Sequence, residues 1–270
     1  MQPPGPIRWT RSALLGARVR HVFVRVAAAS CFAVCGHAAM AQTNLVQNGS
    51  FVVTGGNTSF QFGTYNSYAP TETLANWSSA GYNYVFLPAS TVATGTYGAL
   101  SLYSTTTTPS NSFNNASPTG GNFVGADGAY GVAPITQTIN GLATGSTYAL
   151  SFAWAGAQQT GYTGATTEQW QVTLGTSTQN TSVVGIASTG FSGWMNQTFN
   201  FVATSSSEVL SFLANGTPNG VPPFALLSNV SLTKVPEPAS VTLMITAIAG
   251  LIGIARRRGV SRTGGGKRAA

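Results

Sequence analysis

The chain has 270 residues, 6% of them charged, 43% hydrophobic and 10% aromatic. So little charge, with abundant Gly, Ser, Thr and Asn, speaks against a largely helical protein, while the apolar and aromatic share excludes wholesale disorder. The net charge of +7 resides at the ends, because Arg8, Arg11, Arg18, Arg20 and Arg25 precede Gln42, and Arg256, Arg257, Arg258, Arg262, Lys267 and Arg268 close the chain.

Between Gln42 and Thr233 there is neither Lys nor Arg, and Glu72, Asp127, Glu168 and Glu208 give that stretch a charge of −4. No cation is available there to neutralise a phosphate, which excludes nucleic acid as a partner. Cys31, Cys35, His21 and His37 all fall within the first 41 residues. A body that starts at Gln42 has no disulfide, no imidazole base and no thiol nucleophile.

In chain order, the first segment fits a secretory signal. A basic region ends at Arg25, an apolar stretch runs from Val26 to Gly36, and Ala39-Met40-Ala41 supplies a small-x-small cleavage site. The apolar stretch is too short for the roughly 17–25 residues of a membrane span. Residues 1–41 are therefore expected to be removed after export.

The body shows strand periodicity. Tyr148, Leu150, Phe152 and Trp154 alternate with smaller residues across 147–155, as do Trp170, Val172 and Leu174, then Phe199 and Phe201. Leu226, Val230 and Leu232 share a parity near the end of the body. Turn-forming clusters at 140–141, 144–146, 187–193 and 215–223 separate these runs. The expected fold is all-β, an antiparallel sandwich of the jelly-roll kind. Ser104 to Gly121, rich in Ser, Thr, Asn and Pro, is expected to be a long surface loop, and 156–167 a second exposed loop.

At the C-terminus, Val235-Pro236-Glu237-Pro238 precedes an apolar segment, 239–255, and then Arg256-Arg257-Arg258. The prolines set an extended approach. The apolar segment has the length of a short transmembrane helix, and the arginines place its far end in the cytoplasm.

The order of proline motif, short hydrophobic helix and terminal Arg cluster resembles the PEP-CTERM sorting signal of Gram-negative bacteria. That resemblance implies an exosortase-like membrane protease as partner and Val235, Pro236, Glu237 and Pro238 as the sorting motif. It also implies an association with exopolysaccharide or biofilm. Twelve residues follow the Arg cluster, more than the family tail usually has. The expected organisation is a signal peptide at 1–41, an extracellular sandwich at 42–233, a sorting segment at 234–258 and a basic cytoplasmic tail at 259–270. The expected location is an inner-membrane-anchored precursor, then the cell surface or medium.

A second resemblance runs through the body. The opening Asn44-Leu45-Val46-Gln47-Asn48-Gly49-Ser50-Phe51, then Trp77, Gln137-Thr138-Ile139, 145–152 and the closing Leu227-Ser228-Asn229-Val230-Ser231-Leu232 are similar to galactose-binding-like jelly rolls and related carbohydrate-binding modules. Such domains often hold a structural calcium through acids near the opening motif and before the last strand. This chain has Val52 at the first place and Ser228-Asn229 at the second, so the calcium is left open and no other metal or cofactor is expected.

No catalytic residue is expected. Glu168 and Glu208 begin strands and read as solvated strand-end charges, and no paired carboxylates announce a glycosidase. Aromatic faces suit sugar rings. Trp77, Tyr82, Tyr84 and Tyr162 are the ligand-binding candidates, Tyr162 because it lies in a Gly-rich loop. Trp170 and Trp194 belong to the same wider set, but Trp154 and Trp170, on alternating strands, are assigned to the core.

Overall fold

The computed structural model describes residues 42–236 apart from Thr91. Ala39 and Ala41, Glu237 and Pro238, the 239–255 segment and Arg256 to Arg258 lie outside the described residues. Among the described residues no helix is long and apolar enough to cross a membrane.

Fifteen strands and one short 3-10 turn, Tyr65–Ser67, make up the regular structure of the described residues. They are β1 (Val53–Thr54), β2 (Phe60–Gln61), β3 (Thr73–Leu74), β4 (Asn83–Phe86) and β5 (Val92–Gly95). Next come β6 (Gly98–Ser101), β7 (Phe123–Asp127), β8 (Ile135–Asn140), β9 (Thr147–Gln158) and β10 (Thr166–Leu174). The last are β11 (Ser177–Asn180), β12 (Val184–Ile186), β13 (Met195–Val202), β14 (Ser207–Thr217) and β15 (Pro223–Lys234). The larger sheet runs β13-β9-β15-β7-β4-β2-β5-β6, and a five-stranded sheet runs β11-β10-β14-β8 with β12 also on β10. The pairings are antiparallel except β2 with β5, which meet in parallel at Phe60 and Thr94. β1 and β3 form a separate two-stranded ribbon.

The two main sheets pack face to face, as the alternation predicts. Tyr148, Leu150, Phe152 and Trp154 of β9 meet Trp170, Val172 and Leu174 of β10 and Leu210, Phe212 and Ala214 of β14 in one core. Phe152 and Phe212 cross the interface edge to face, with ring centroids 5.2 Å apart. Trp170 is fully buried and donates its indole N–H to the Leu226 carbonyl of the opposite sheet at 3.1 Å. Each such large side chain contributes roughly 1.5–3 kcal/mol by leaving water. Assignment of Trp154 and Trp170 to the core holds.

A second core lies on the outer face of the larger sheet. Tyr84, Phe86, Phe123, Phe224 and Leu226 pack there with Leu100, Leu102 and Phe113. Phe86 stacks on Phe123 at 5.0 Å and 9°. This explains why β4 and β7 are buried at every position rather than at alternate ones. The segment 104–121 is irregular as expected, but it is not merely a surface loop. Phe113 is buried against Phe123 and Phe191, and Asn115 and Ser117 are buried with it. Two hydrogen bonds tie it to the chain around Thr189 and Trp194: Asn111 Nδ2 donates to the Thr189 carbonyl at 2.9 Å, and Trp194 Nε1 donates to that of Ala116 at 3.0 Å.

Two further expectations are corrected. The 156–167 loop is shorter, since β9 continues to Gln158 and β10 starts at Thr166. Leu226 does not share a face with Val230 and Leu232. A bulge between Ser228 and Ser231 adds one residue to β15, with Asn229 at φ 55°, and inverts the parity there. Ahead of the bulge Ala225 and Leu227 face the inter-sheet core; beyond it Val230 and Leu232 do. The opening segment lies along this strand, where Leu45 N donates to the Leu232 carbonyl and Val230 N to that of Gly49.

Candidate functional site

At one end of the larger sheet, on the side of the second core, several connections converge on a cleft of about 430 Å³. Tyr82 stands just before β4, Tyr97 in the β5–β6 turn, Asp127 at the end of β7 and Tyr130 three residues on. Gln159 follows β9, Tyr162 lies in the β9–β10 loop, and Asn219 lies between β14 and β15.

The alternation of β7 places the carboxylate. Phe123 and Gly125 face the second core, so Asp127, two residues on, projects from the same face at its rim. There it is 2% exposed. Its Oδ1 accepts backbone N–H groups from Ala129 at 2.8 Å and Tyr130 at 3.0 Å. This Asx turn carries Tyr130 over the cleft. Gly128 makes it feasible: a Cβ at that position would stand 2.4 Å from the Gly216 nitrogen. Gly216 N in turn donates to the Gly128 carbonyl at 3.0 Å, which ties the turn to β14. Burial pushes the Asp127 pKa up to about 6, against the two backbone hydrogen bonds that favour its anion.

The tyrosines support one another. Tyr130 meets Tyr82 edge to face at 5.7 Å and 85°, and Tyr65 backs it at 5.4 Å. The hydroxyls of Tyr97 and Tyr130 share a hydrogen bond of 3.1 Å. Tyr97, Tyr130 and Tyr162 are respectively 58%, 41% and 40% exposed, which is unusual for large aromatic groups clustered at one place.

Of the four ligand-binding candidates, Tyr82 and Tyr162 line this cleft. Tyr84 does not; it is fully buried behind Tyr82, at 4.9 Å, and donates its hydroxyl to Gln61 Oε1. Trp77 is also a core residue. Its ring packs on Phe51 and Phe212, and its Nε1 donates to the Asn48 carbonyl at 2.9 Å. Sequence reasoning missed Asp127, Tyr97, Tyr130, Gln159 and Asn219. The available signal was local: an apolar run, Phe123 to Ala126, closed by an acid and followed by Gly128-Ala129-Tyr130.

The other buried acids correct the picture of solvated strand ends. Glu168 is 0% exposed and faces the core in step with Trp170 and Val172. Its Oε1 accepts from Thr166 Oγ1 at 2.6 Å, its Oε2 has no partner, and burial pushes its pKa up to about 8 despite the Thr166 hydrogen bond. Glu208 is buried too, but its Oε1 takes three hydrogen bonds from Thr204 and Ser205. Burial raises its pKa, and those bonds outweigh burial and hold the carboxyl below its ordinary value.

The calcium position does not fit a cation. Val52 is exposed and apolar. Asn48 Nδ2 donates to the Val52 and Ala75 carbonyls, and Asn122 Nδ2 to that of Phe51. Asn229 Oδ1 accepts from Thr119, and Ser228 Oγ donates to the Asn122 carbonyl. Amide N–H groups occupy the carbonyl oxygens a calcium would need, and no carboxylate joins them. Among the described residues no three Asp, Glu, His or Cys side chains converge.

No protein-family model matches the sequence, and no curated protein matches it. Among solved structures, the chain is similar to a family 61 carbohydrate-binding module in complex with β-1,4-galactotriose. The identity is 11% and the TM-score 0.37, over 72% of this chain and 100% of that one. It is also similar to the xylan-binding module CBM22-2 of Paenibacillus barcinonensis Xyn10C, at 12% identity and TM-score 0.32, over 60% of this chain and 94% of that one. A family 4 module aligns at 16% identity and TM-score 0.27, over 42% of this chain and 71% of that one.

Proposed function

We propose that this is an exported, non-enzymatic protein whose sandwich, a jelly roll, holds an extracellular polysaccharide in the tyrosine cleft. The observation that carries this is the convergence of Tyr82, Tyr97, Tyr130 and Tyr162 around Asp127 in a cleft of about 430 Å³. Aromatic faces cover the apolar C–H faces of a sugar ring, while the Asp127 carboxylate and the Gln159 and Asn219 amides take its hydroxyls. Binding without cleavage follows from the inventory. Glycoside hydrolysis commonly uses two apposed carboxylates, and Asp127 is the one carboxylate among the described lining residues.

The ends supply the address. On this proposal the first 41 residues direct export, an exosortase-like membrane protease processes the Val235 to Pro238 motif, and the product joins the exopolysaccharide at the cell surface. The ladder supports such a junction: Val235 N still donates to the Thr147 carbonyl at 2.8 Å, and Pro236 is exposed and has no N–H to pair. The motif thus starts where the sandwich stops.

The test is a glycan array with the full chain and its Tyr162→Ala variant. The wild type is expected to retain a polysaccharide, and loss of the Tyr162 ring is expected to weaken retention about tenfold. An array with no retained glycan would overturn the cleft as a sugar site.

A further inference from the structure

The cleft combines several tyrosines with a buried anion that has no partner of opposite charge among the described residues. Asp127 is 2% exposed, yet no Lys or Arg occurs between Gln42 and Thr233. Lys234 closes β15, whose first residue, Pro223, borders the cleft end, so it stands roughly 35 Å away along the strand. Both backbone hydrogen bonds fall on Oδ1, and Oδ2 accepts none from the described residues. Tyr82, Tyr97, Tyr130 and Tyr162 line the same cleft. A buried carboxylate without a counter-charge is costly, and a cation arriving with the ligand would relieve that cost. Tyrosine faces attract the same cation through their quadrupoles.

We infer that the cleft selects a cationic amino sugar, a hexosamine unit of a partly deacetylated polysaccharide, placing its ammonium between Asp127 and the tyrosine faces. This rests on the sugar-binding proposal above and names its substrate class. Neutral sugars satisfy Tyr97, Tyr130 and Tyr162 equally well, but leave Asp127 buried without a positive partner. An N-acetyl group removes the charge and adds bulk at the same atom. The overall charge of −4 between Gln42 and Thr233 favours approach of a polycation as well.

The experiment compares, for the full chain near neutral pH and low salt, the affinities for glucosamine oligomers, their fully N-acetylated counterparts and glucose oligomers of equal length. Tetramethylammonium serves as a sugar-free cation. Glucosamine oligomers are expected to bind at least about tenfold more tightly than either uncharged series, the scale of one charge-assisted hydrogen bond. In Asp127→Asn, which keeps the side-chain volume and the Oδ1 acceptor, that preference is expected to vanish while weak binding of all three series persists. Equal or tighter binding of the uncharged oligomers by the wild type would overturn the inference and leave the sugar-binding proposal standing. No oligomer bound at all would overturn the inference, and the glycan array, which presents other sugars, then decides the sugar-binding proposal. Tetramethylammonium bound as tightly as the glucosamine oligomers would overturn the assignment to a sugar. If Asp127→Asn does not fold, the wild-type ranking of the three series still decides.

Discussion

Glu168 offers the sharpest quantitative test of this structure. It is buried beside Trp170 with one partnered oxygen, and burial raises its carboxyl from an ordinary 4.5 to about 8. Below about pH 4.5 both folded and unfolded chains hold this proton. Between about 4.5 and 8 the folded chain keeps it while the unfolded chain releases it, so stability falls as pH rises. The slope is about 1.4 kcal/mol per pH unit, tapering near pH 8, which amounts to about 2 kcal/mol lost between about pH 6 and 8. Asp127, raised from 3.8 to about 6, acts with the same sign but in a lower window. No histidine lies after residue 41, so Glu168 dominates between about pH 7 and 8, while Asp127, half titrated at about pH 6, adds only about 0.4 kcal/mol from there upward.

The assay is urea unfolding of residues 42–236, followed by tryptophan fluorescence, at about pH 6, 7 and 8. The wild-type midpoint should fall steadily. Glu168→Gln keeps an acceptor for Thr166 Oγ1 but places an amide where Oε2 has no partner, a fixed cost of about 1–3 kcal/mol. Gln carries no titratable proton, so its midpoint should be nearly flat across the range. A wild type that is flat from about pH 6 to 8, or a variant that keeps the wild-type slope, would refute the assignment of a neutral Glu168 in the core.

Trp170→Phe should lower stability by about 2–4 kcal/mol in the same assay, since it opens a cavity between the sheets and leaves the Leu226 carbonyl without its indole donor. Gly128→Ala should disturb the cleft before the core: its Cβ would press on the Gly216 backbone, so glycan retention should drop more than the unfolding midpoint does. Alanines at Val235, Pro236, Glu237 and Pro238 should abolish C-terminal processing in a host with an exosortase while leaving export intact. Mass measurement of the released chain checks this, and equal processing of the variant would count against the sorting role.

Much of the sandwich was legible in the sequence because alternation is a local code. A strand with Leu150, Phe152 and Trp154 on one side must turn that side away from water, whatever it packs against. The same code already contained Glu168, two residues before Trp170 and on the same parity, but charge was weighed above position. The absence of His and Cys after residue 41, and of Lys and Arg between Gln42 and Thr233, was equally plain, and it leaves that stretch with no cation for a phosphate and no imidazole or thiol.

Tertiary structure alone decided the rest. The bulge at Ser228 to Ser231 inverts the faces of β15, because one extra residue in a period of two exchanges inside for outside. The 104–121 segment reads as soluble by composition, yet its Phe113 closes a second core, which exists because the larger sheet has two faces to cover. Trp77 and Tyr84 were indistinguishable from Tyr82 and Tyr162 as aromatic residues among turn formers. Burial separated them, and burial depends on what the rest of the chain lays over each ring. The cleft itself draws on positions from 82 to 222, brought together where the ends of β7, β9, β14 and β15 meet. Periodicity states which way a side chain faces along its own strand, whereas strand order across a sheet, set by pairings between residues as far apart as Val124 and Leu227, determines which strand ends become neighbours.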